Sequence, residues 1–352
     1  MPRKIFRYLF LLLVLYNTTL SAQEKTSYSV IGVGDIMMGT NYPDKSYLPP
    51  NNGKGLLSEV KDILLEADLT FGNLEGVILD EGGTAKNCND PKTCFVFRSP
   101  ESYLQNLIEA GFDVLSTANN HVNDFGTAGR KNTASALDRT TLQYAGFADK
   151  PSVTFSKGNI KYGFAAFAPN AGTADLYDIE SAKSIVNKLN KECDIVIVSF
   201  HAGAEGKNHQ HVTKKTEYFY GHNRGNVYLF SHAMIEAGAD IIFGHGPHVT
   251  RAVEVYKDRF IAYSLGNFCT YRRFNLQGPN GYAPIIKVFT NKEGEFQRAK
   301  VYSIKQTPPG GPTLDENESA FKYLRDLTKE DLPESRLIFT NNEITLPAAE
   351  VK

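Results

Sequence analysis

The sequence predicts an α/β fold in which parallel strands belong to a mixed sheet or to two sheets packed together. Strand-like and helix-like segments alternate from residue 28 to residue 245, and hairpin-like segments follow residue 250. The chain has 352 residues, 41% of them hydrophobic, which is enough to bury a sizeable core. Its formal net charge of −1 gives no general reason to expect nucleic-acid binding.

The N-terminal residues have the layout of a secretory signal peptide. A basic segment over residues 3–7 precedes an apolar run over residues 8–16, and small polar residues follow up to Ala22. The apolar run is shorter than the roughly 20 residues that a membrane-spanning helix needs. An uncleaved anchor is the alternative. We therefore expect an exported protein, periplasmic or at the cell surface, with a signal peptide over about residues 1–22.

The part of the chain up to residue 245 alternates strands with amphipathic helices, which favours parallel strand pairing. The predicted strands are 28–35, 68–75, 111–120, 142–147, 161–168, 193–203 and 239–245. The predicted helices are 55–67, 101–110, 128–139, 179–191 and 226–237.

The pattern changes to hairpins after residue 250. One hairpin is predicted over 252–267 with its turn at Lys257 and Asp258, and another over 283–304 with its turn near Gly294. A loop over 307–319, a helix near 320–329 and a loosely patterned tail follow. We expect one domain over residues 23–306, with residues 307–352 packed on it.

The cysteines bear on the redox environment. Cys88 and Cys94 flank a turn-rich segment, so in an oxidising compartment they either close a small loop as a disulfide or stay as loop thiols. Cys193 and Cys269 lie in apolar strand contexts and are expected to be buried and reduced. The sequence has no CxxC motif, so it does not indicate a thiolate zinc site.

Polar residues repeatedly follow the predicted strands, at the sheet edge where α/β folds place their sites. A single histidine there is most often structural, but burying many such groups together is costly unless something pairs them. Imidazole nitrogens and carboxylate oxygens suit zinc, manganese or iron. We therefore predict a shared polar site with bound divalent metal. Its candidate residues are Asp35, Asn73, Glu75, Asn119, Asn120, His121, His201, Glu205, His245, His248 and Asn267.

These motifs, taken together, resemble the CapA family of capsule and poly-γ-glutamate synthesis proteins, which is related to the calcineurin-like metallophosphoesterases. The resemblance covers roughly residues 28–305, and it rests on "GDIMMG", "GNLEG", "STANNHVNDFG", "SFHAGAE", "GADIIFGHGPHV" and "AYSLGNF" in this order. It implies a four-layer α-β-β-α sandwich of two mixed sheets with the site at one sheet edge. It also implies two metal ions, manganese, iron or zinc.

The resemblance assigns roles by the order of the motifs. His121 would stabilise charge on the reacting group or protonate the leaving group, and Asp124 either orients His121 or caps the next helix. Glu205 either orients His201 or is a solvated loop carboxylate. The metal ligands would be Asp35, Glu75, Asn120, His201, His245 and His248, and we assign ligand binding to Asn73, Asn119, Glu205, Arg224 and Asn267.

This chain departs from the metallophosphoesterase pattern at several positions. Met37 stands where the pattern has the histidine of an Asp-x-His motif, and Glu75 replaces a bridging aspartate. Gly246 stands where many CapA-like sequences have a further histidine. These differences weaken the expectation of a complete binuclear hydrolase.

A basic, aromatic and histidine-rich segment spans residues 207–226. Arg224 is its best candidate for binding an anion, because a guanidinium matches carboxylate or phosphate. The histidines of this segment, His209, His211 and His222, either widen the metal site or are ordinary surface residues. Arg98 and Arg251 are weaker anion-binding candidates.

Three functional hypotheses follow. The protein is a CapA-like accessory that acts on an anionic polymer, working with membrane synthesis or export machinery, or a periplasmic metal-dependent phosphoesterase or other hydrolase of unrelated substrate. The third hypothesis is a polymer-binding module without catalysis. Met37 favours the third hypothesis over the second, whereas the other strand-end residues favour chemistry. We do not expect nucleic acid as a partner.

Overall fold

A computed structural model describes residues 25–88 and 94–348 of the chain. The predicted signal peptide lies outside these residues. Within the described ranges, no helix combines the length and the apolar character needed to cross a bilayer. A disulfide joins Cys88 to Cys94, which confirms the first of the two alternatives for this pair.

The described chain forms two large sheets, two small ones and six α-helices. The helices are α1 (Lys61–Leu65), α2 (Tyr103–Glu109), α3 (Gly126–Asp138), α4 (Ile179–Glu192), α5 (Val227–Glu236) and α6 (Ser319–Asp331). The strands up to residue 201 are β1 (Tyr28–Met37), β2 (Leu69–Leu74), β3 (Val77–Ile78), β4 (Arg98–Ser99), β5 (Val114–Ser116), β6 (Gln143–Ala145), β7 (Ser152–Lys157), β8 (Ile160–Phe167) and β9 (Ile195–His201). The later strands are β10 (Tyr218–Phe219), β11 (His222–Asn223), β12 (Ile241–His245), β13 (Val253–Tyr256), β14 (Arg259–Ala262), β15 (Asn267–Thr270), β16 (Tyr282–Thr290), β17 (Phe296–Gln306), β18 (Pro312–Leu314), β19 (Ile338–Thr340) and β20 (Glu343–Thr345).

The larger sheet joins strands from both ends of the chain. Its order is β19-β20-β17-β16-β1-β2-β5-β6, with β15 also paired to β1 and β18 paired to β17. Strands β1, β2, β5 and β6 are parallel neighbours, whereas β16 runs antiparallel to β1. The sheet is therefore mixed, as predicted.

The smaller sheet has the order β13-β14-β12-β9-β8-β7. Strands β8, β9, β12 and β14 are parallel, and the edge strands β7 and β13 are antiparallel to their neighbours. This sheet is mixed as well. The short pairs β3–β4 and β10–β11 lie outside the two large sheets.

Three apolar cores separate the layers. The central core lies between the two sheets, where Phe71 and Phe243 stack with ring centroids 5.4 Å apart. A second core lies between the larger sheet and α1, α2 and α3, and contains Leu64, Leu107 and Leu137. A third lies between the smaller sheet and helices α4 and α5. Two sheets enclosed by helices form the predicted α-β-β-α sandwich.

Strand register places the polar residues at one edge. Asp35 of β1 lies beside Asn73 of β2 on one side and Asn267 of β15 on the other. On the second sheet, His201 of β9 lies directly beside His245 of β12. Because the carboxyl ends of parallel strands meet at one edge, residues far apart in sequence come together there.

Several elements differ from the sequence-based expectation. The helix predicted over 55–67 is helical only at Lys61–Leu65, because Gly55 has φ 94° and the segment after it forms turns. Strand β7 was not predicted, since only one of its faces contacts the core and its residues are mostly polar. The tail hairpin β19–β20 was also missed, and it extends the edge of the larger sheet.

Candidate functional site

Two carboxylates and two imidazoles converge where the two sheets meet. Asp35, Glu75, His201 and His248 each offer one ligand atom, and these atoms all lie within 4.8 Å of one another. Asp35 lies near the end of β1 and His201 ends β9, while Glu75 directly follows β2 and His248 lies in the turn after β12. The sequence therefore predicted this convergence correctly for these residues.

Asp35 is fully buried and surrounded by polar partners. The Nδ2 of Asn73 donates a 2.8 Å hydrogen bond to its Oδ1, and His248 Nδ1 lies 2.9 Å from its Oδ2. His245 Nδ1 lies 3.2 Å from Oδ1. Burial alone would raise the pKa of Asp35, but the two imidazoles outweigh it and hold the pKa well below its usual range. Asp35 is therefore a carboxylate at neutral pH.

His248 is fixed through one ring nitrogen and leaves the other directed at Glu75. Its Nδ1 lies 2.9 Å from Asp35 and 3.1 Å from Asn267 Oδ1, while Nε2 lies 3.5 Å from Glu75 Oε1. Burial disfavours the charged ring, yet the carboxylates of Glu75 and Asp35 outweigh burial and raise the pKa of His248 to about 10. Its backbone has φ 56°, an uncommon left-handed conformation.

Glu75 occupies the centre of the cluster. Its Oε1 lies 3.7 Å from the Nε2 of both His121 and His201. Its side chain is fully buried, and no described residue hydrogen-bonds to either carboxylate oxygen. Burial raises the pKa of Glu75 well above its usual range. A buried carboxylate of this kind is stabilised as an anion by nearby positive charge, which the ring of His248 provides in part and a divalent cation would increase.

The unpartnered atoms around Glu75 fit a divalent metal. In the described part of the chain, both ring nitrogens of His201, Nε2 of His245 and Oδ1 of Asn120 are buried without a hydrogen-bond partner. Buried polar atoms are normally paired, so these atoms together are suited to bind a common partner. Imidazole nitrogens with carboxylate and amide oxygens are a donor set that suits zinc, manganese or iron.

His121 is oriented by Asp124, which resolves the alternative left open by the sequence. His121 Nδ1 lies 2.7 Å from Asp124 Oδ2, and Phe97 stacks on the ring at 4.2 Å. Asp124 does not cap α3, because Phe125 is the N-cap residue and makes no side-chain capping bond. Lys86 Nζ lies 2.6 Å from the other oxygen of Asp124. Burial lowers the pKa of His121, so its Nε2 carries a lone pair at neutral pH.

A cavity of about 490 Å³ opens above this cluster. Its basic side chains outnumber its acidic ones, and several phenylalanine and tyrosine rings form its rim. The lining residues are Lys86, Cys94, Phe95, Phe97, Asn120, His121, Glu205, Gly206, Phe219, Tyr220, His222, Arg224, His248, Asn267, Arg273, Phe274, Asn275 and Asn280. The positive balance favours an anionic ligand.

Two of the asparagines assigned to ligand binding, Asn73 and Asn119, are hydrogen-bonded within the protein. Asn73 is fully buried and bonded to Asp35. Asn119, also fully buried, donates 2.8 Å to the carbonyl of Leu74 and accepts 3.0 Å from the N–H of His121. Their role in ligand binding stays a prediction, because these internal contacts do not test it. Asn267 does line the cavity, where it fixes His248.

Glu205 does not orient His201. Its Oε1 lies 2.8 Å from Arg224 Nη1, and both nitrogens of His201 lack a partner among the described residues. Glu205 and Arg224 both line the cavity, as expected for ligand-binding residues. The loop after β9 carries Glu205 past His201 and towards the segment that follows β11.

The weaker arginine candidates are occupied by the protein itself. Arg251 is fully buried and makes two 2.8 Å contacts with the carboxylate of Glu217. Arg98 donates to the carbonyl of Gly82 and lies over the ring of Phe125. Neither residue lines the cavity, so neither is available to a ligand there.

The histidines of the 207–226 segment are mostly surface residues. His211 is exposed and lies 2.7 Å from Asp331, away from the site. His209 packs against Phe219, and His222 reaches only the rim of the cavity. None of them joins the convergent group around Glu75 within the described residues.

Several lining residues were missed in the sequence. Lys86, Phe97, Arg273 and Phe274 come from loops or very short strands, and no periodic pattern marks them. Two weak sequence signals point to these four residues. One is a basic residue close to a cysteine pair, and the other is "YRRF" shortly after "SLGNF".

The departures at positions 37 and 246 have a structural basis. Met37 is buried at the end of β1 and offers no strong ligand atom. Gly246 has φ 112°, and a Cβ there would meet the carbonyl oxygen of Ala202 at 2.7 Å and its nitrogen at 2.8 Å. The backbone of this turn therefore disfavours any residue with a side chain at position 246.

The chain matches the family model described as "Bacterial capsule synthesis protein PGA_cap" over residues 29–272. It is 30% identical over 265 residues to the capsule biosynthesis protein CapA of Bacillus anthracis, a match that covers 70% of this chain and 60% of that protein. It is 30% identical over 314 residues to the PGA biosynthesis protein CapA of Bacillus subtilis (strain 168), covering 85% of this chain and 77% of that protein. Among solved structures, a phosphatase of Mycoplasma pneumoniae is 16% identical with a TM-score of 0.48, over 82% of this chain and 95% of that one.

Proposed function

This chain belongs to the PGA_cap family of bacterial capsule synthesis proteins, and we propose that it is an exported, metal-dependent hydrolase acting on an anionic polymer. The observation that carries the proposal is the group Asp35, Glu75, His201 and His248, buried at the base of a positively lined cavity. The signal-peptide layout and the Cys88–Cys94 disulfide support export.

The metal ligands would be these four residues together with His245 and Asn120. His245 contacts Asp35, and Asn120 contributes an unpartnered buried oxygen among the described residues. The convergent group accounts for one ion, and the remaining two donors are the candidates for a second. When bound, manganese, iron or zinc supplies positive charge that activates water and polarises the bond to be cleaved.

His121 and Asp124 form the proton-handling pair of this proposal. The contact with Asp124 places the ring proton on Nδ1, so Nε2 is directed towards Glu75 as a proton acceptor. The buried carboxylate keeps the ring in one orientation, while Phe97 covers its face. His121 Nε2 would accept a proton during bond cleavage and return it to the leaving group.

The cavity supports an anionic substrate, either a phosphoester or a carboxylate-rich polymer such as poly-γ-glutamate. Arg224 and Arg273 provide positive charge in the cavity, whereas Lys86 is paired with Asp124. The names of the Bacillus relatives favour the capsule polymer and a partner in membrane synthesis or export. A polymer-binding module without catalysis is the second candidate, which Met37 favours because it removes a ligand position.

Hydrolysis assays separate the two candidates. Purified mature protein is incubated with p-nitrophenyl phosphate, bis-p-nitrophenyl phosphate and γ-linked oligoglutamate, with added manganese or with chelator. Cleavage that requires metal, and that falls by about 100-fold or more in His121→Gln, supports the hydrolase. The surface variant His211→Gln is the control and should retain full activity. Binding without cleavage of any of these compounds would favour the module.

A further inference from the structure

Arg224 is a buried arginine with most of its donors unused. It follows β11, and only 9% of its surface is exposed. Its Nη1 lies 2.8 Å from Glu205 Oε1. Across residues 25–88 and 94–348, nothing hydrogen-bonds to its Nε or Nη2, although both atoms are buried. Burying a charged group with so few partners is costly unless a ligand completes it.

A second buried arginine in the same region shows the contrast. Arg251 donates from Nε to the carbonyl of His209, from Nη1 to Glu217, and from Nη2 to both Glu217 and the carbonyl of Ala204. All three of its nitrogens have partners. The unused edge of Arg224 is therefore not a general feature of arginines in this segment.

The backbone holds Arg224 in place before any ligand arrives. Its N–H donates 2.8 Å to the carbonyl of Glu217, and its carbonyl accepts 2.8 Å from the N–H of Gly203. Glu205 restrains the guanidinium from one side. A side chain held in this way loses little conformational entropy when a ligand binds. Most of the interaction energy therefore contributes to the binding free energy.

Arg224 lies in the cavity that opens above the candidate metal centre. It lines this cavity together with His121 and His248. His248 belongs to the convergent group of candidate metal ligands. A ligand that occupies the cavity can therefore reach the metal centre and Arg224 together.

The free edge of Arg224 has a defined chemical match. Nε and Nη2 are the two parallel donors of one guanidinium edge, spaced to bind both oxygens of a carboxylate or two oxygens of a phosphate. A lysine offers a single point charge and cannot reproduce this bidentate contact.

We propose that the Nε–Nη2 edge of Arg224 binds an oxyanion of the ligand beside the candidate metal centre, with Glu205 holding the guanidinium in position. The inference rests on the proposed function only in taking this cavity as the ligand site. It adds that Arg224, which is not a candidate metal ligand, recognises an anionic group of the ligand. That oxyanion belongs either to a carboxylate of the polymer or to a phosphate.

Binding measurements on the full mature chain test this. Calorimetric titration with inorganic phosphate and with γ-linked tri-glutamate is carried out on manganese-treated and on chelator-treated protein. The variants are Arg224→Lys, which keeps the charge, and Arg224→Gln, which removes it. Lys207→Gln is the matched control, because it removes an exposed positive charge from the same segment.

We expect Arg224→Lys and Arg224→Gln to weaken binding by about 10-fold or more, with Lys207→Gln within a factor of about 2 of wild type. If only the affinity for tri-glutamate falls in the Arg224 variants, the Nε–Nη2 edge binds a carboxylate. If only the affinity for inorganic phosphate falls, the edge binds a phosphate. Arg224→Lys that binds both probes as tightly as wild type would overturn the proposal, and so would a wild-type protein that binds neither.

Failure of the proposed function would look different. If wild-type protein holds no metal, the metal-dependent function fails, while the loss in Arg224→Lys is still measurable in chelator-treated protein. Metal content should also be equal in wild type and Arg224→Lys, because Arg224 is not among the ligands. Thermal unfolding of each variant shows whether it folds. If Arg224→Gln does not fold, the binding measurements on Arg224→Lys still test the proposal.

Discussion

Single residues around Glu75 differ in how fully their polar atoms are hydrogen-bonded. This difference distinguishes residues that hold the structure together from residues that are candidates for binding a ligand. Asn73 and Asn119 hydrogen-bond within the protein, whereas His201 leaves both nitrogens without a partner in the described chain. Paired groups stabilise the edge of the sheet. Unpaired ones lower stability until a ligand binds, which is typical of a functional site.

The pH dependence of stability tests the burial of His121. Burial lowers its pKa below the value of about 6.5 expected in the unfolded chain. Between the folded and the unfolded pKa of His121, the unfolded state binds more protons than the folded state. The contribution of His121 to the free energy of unfolding is therefore fully present above about pH 6.5 and is lost as the pH falls through the folded pKa. As the pH falls below 6.5, the free energy of unfolding of metal-free wild type should decrease by up to about 1.4 kcal/mol per pH unit more than that of His121→Gln.

Urea unfolding of both proteins in chelator, at pH 7.5 and pH 5.5, measures this difference. His211→Gln serves as the control, because His211 is exposed and lies apart from the site. A stability difference between wild type and His121→Gln that does not change with pH would contradict the assignment of a buried neutral ring.

Gly246 is predicted to be required by the turn that carries His248. With φ 112° and backbone atoms of Ala202 within 2.8 Å of a Cβ, alanine there is both strained and crowded. Gly206→Ala is the matched control, since Gly206 has φ 91° and nothing within 4 Å of its Cβ position. Gly246→Ala should lower the free energy of unfolding by about 1–3 kcal/mol more than the control. Equal effects of the two substitutions would show that crowding by Ala202 is unimportant.

At the scale of elements, the strands that carry Asp35, His201 and His245 were predictable because each contains an apolar run that leads into a polar residue. The sequence does not reveal which side of a loop faces the cavity. Glu205 was therefore assigned to His201 although it contacts Arg224. Short elements such as β4 and β11 position Phe97 and Arg224, and a two-residue strand has too little pattern to predict.

Arg251 anchors the segment between β9 and α5. Its bidentate contact with Glu217 lies in the protein interior, where removing one partner leaves an uncompensated charge. Arg251→Met should cost about 3–5 kcal/mol of stability or open residues 205–223 to proteolysis. Arg251→Met combined with Glu217→Leu should recover part of the loss, because it removes both charges. Unchanged stability and unchanged protease resistance in Arg251→Met would contradict this anchoring role.

At the scale of the whole molecule, two sheets built from sequence-distant strands bring their carboxyl ends together, and the site exists only at that junction. Length, alternation of elements and the motif set predicted this architecture. The sequence did not reveal the antiparallel edge strands β7 and β19–β20, since edge strands are short and partly polar. The matches to the Bacillus proteins cover 60% and 77% of their lengths, so the activity of those whole proteins stays a proposal for this chain.

Thiol labelling tests the packing and the redox state of the whole molecule. Burial raises the pKa of Cys269 to about 12, which makes it unreactive, and Cys88 and Cys94 are joined. Iodoacetamide added to native, unreduced protein should leave these three cysteines unmodified. Mass spectrometry after reduction and unfolding should then show all of them labelled. Labelling of Cys88 or Cys94 without reductant would contradict the disulfide.

The central claim is that Glu75 and its neighbours hold metal, and elemental analysis of mature protein purified without chelator tests it most directly. Wild type and His211→Ala, whose histidine lies outside the site, should contain near-stoichiometric manganese, iron or zinc. His201→Ala should lose this metal, and His245→Ala should contain less than wild type, because the first removes two buried nitrogens and the second a buried Nε2 that no other described residue satisfies. Well-folded wild-type protein that contains no metal, and takes up none when manganese or zinc is added, would contradict the claim.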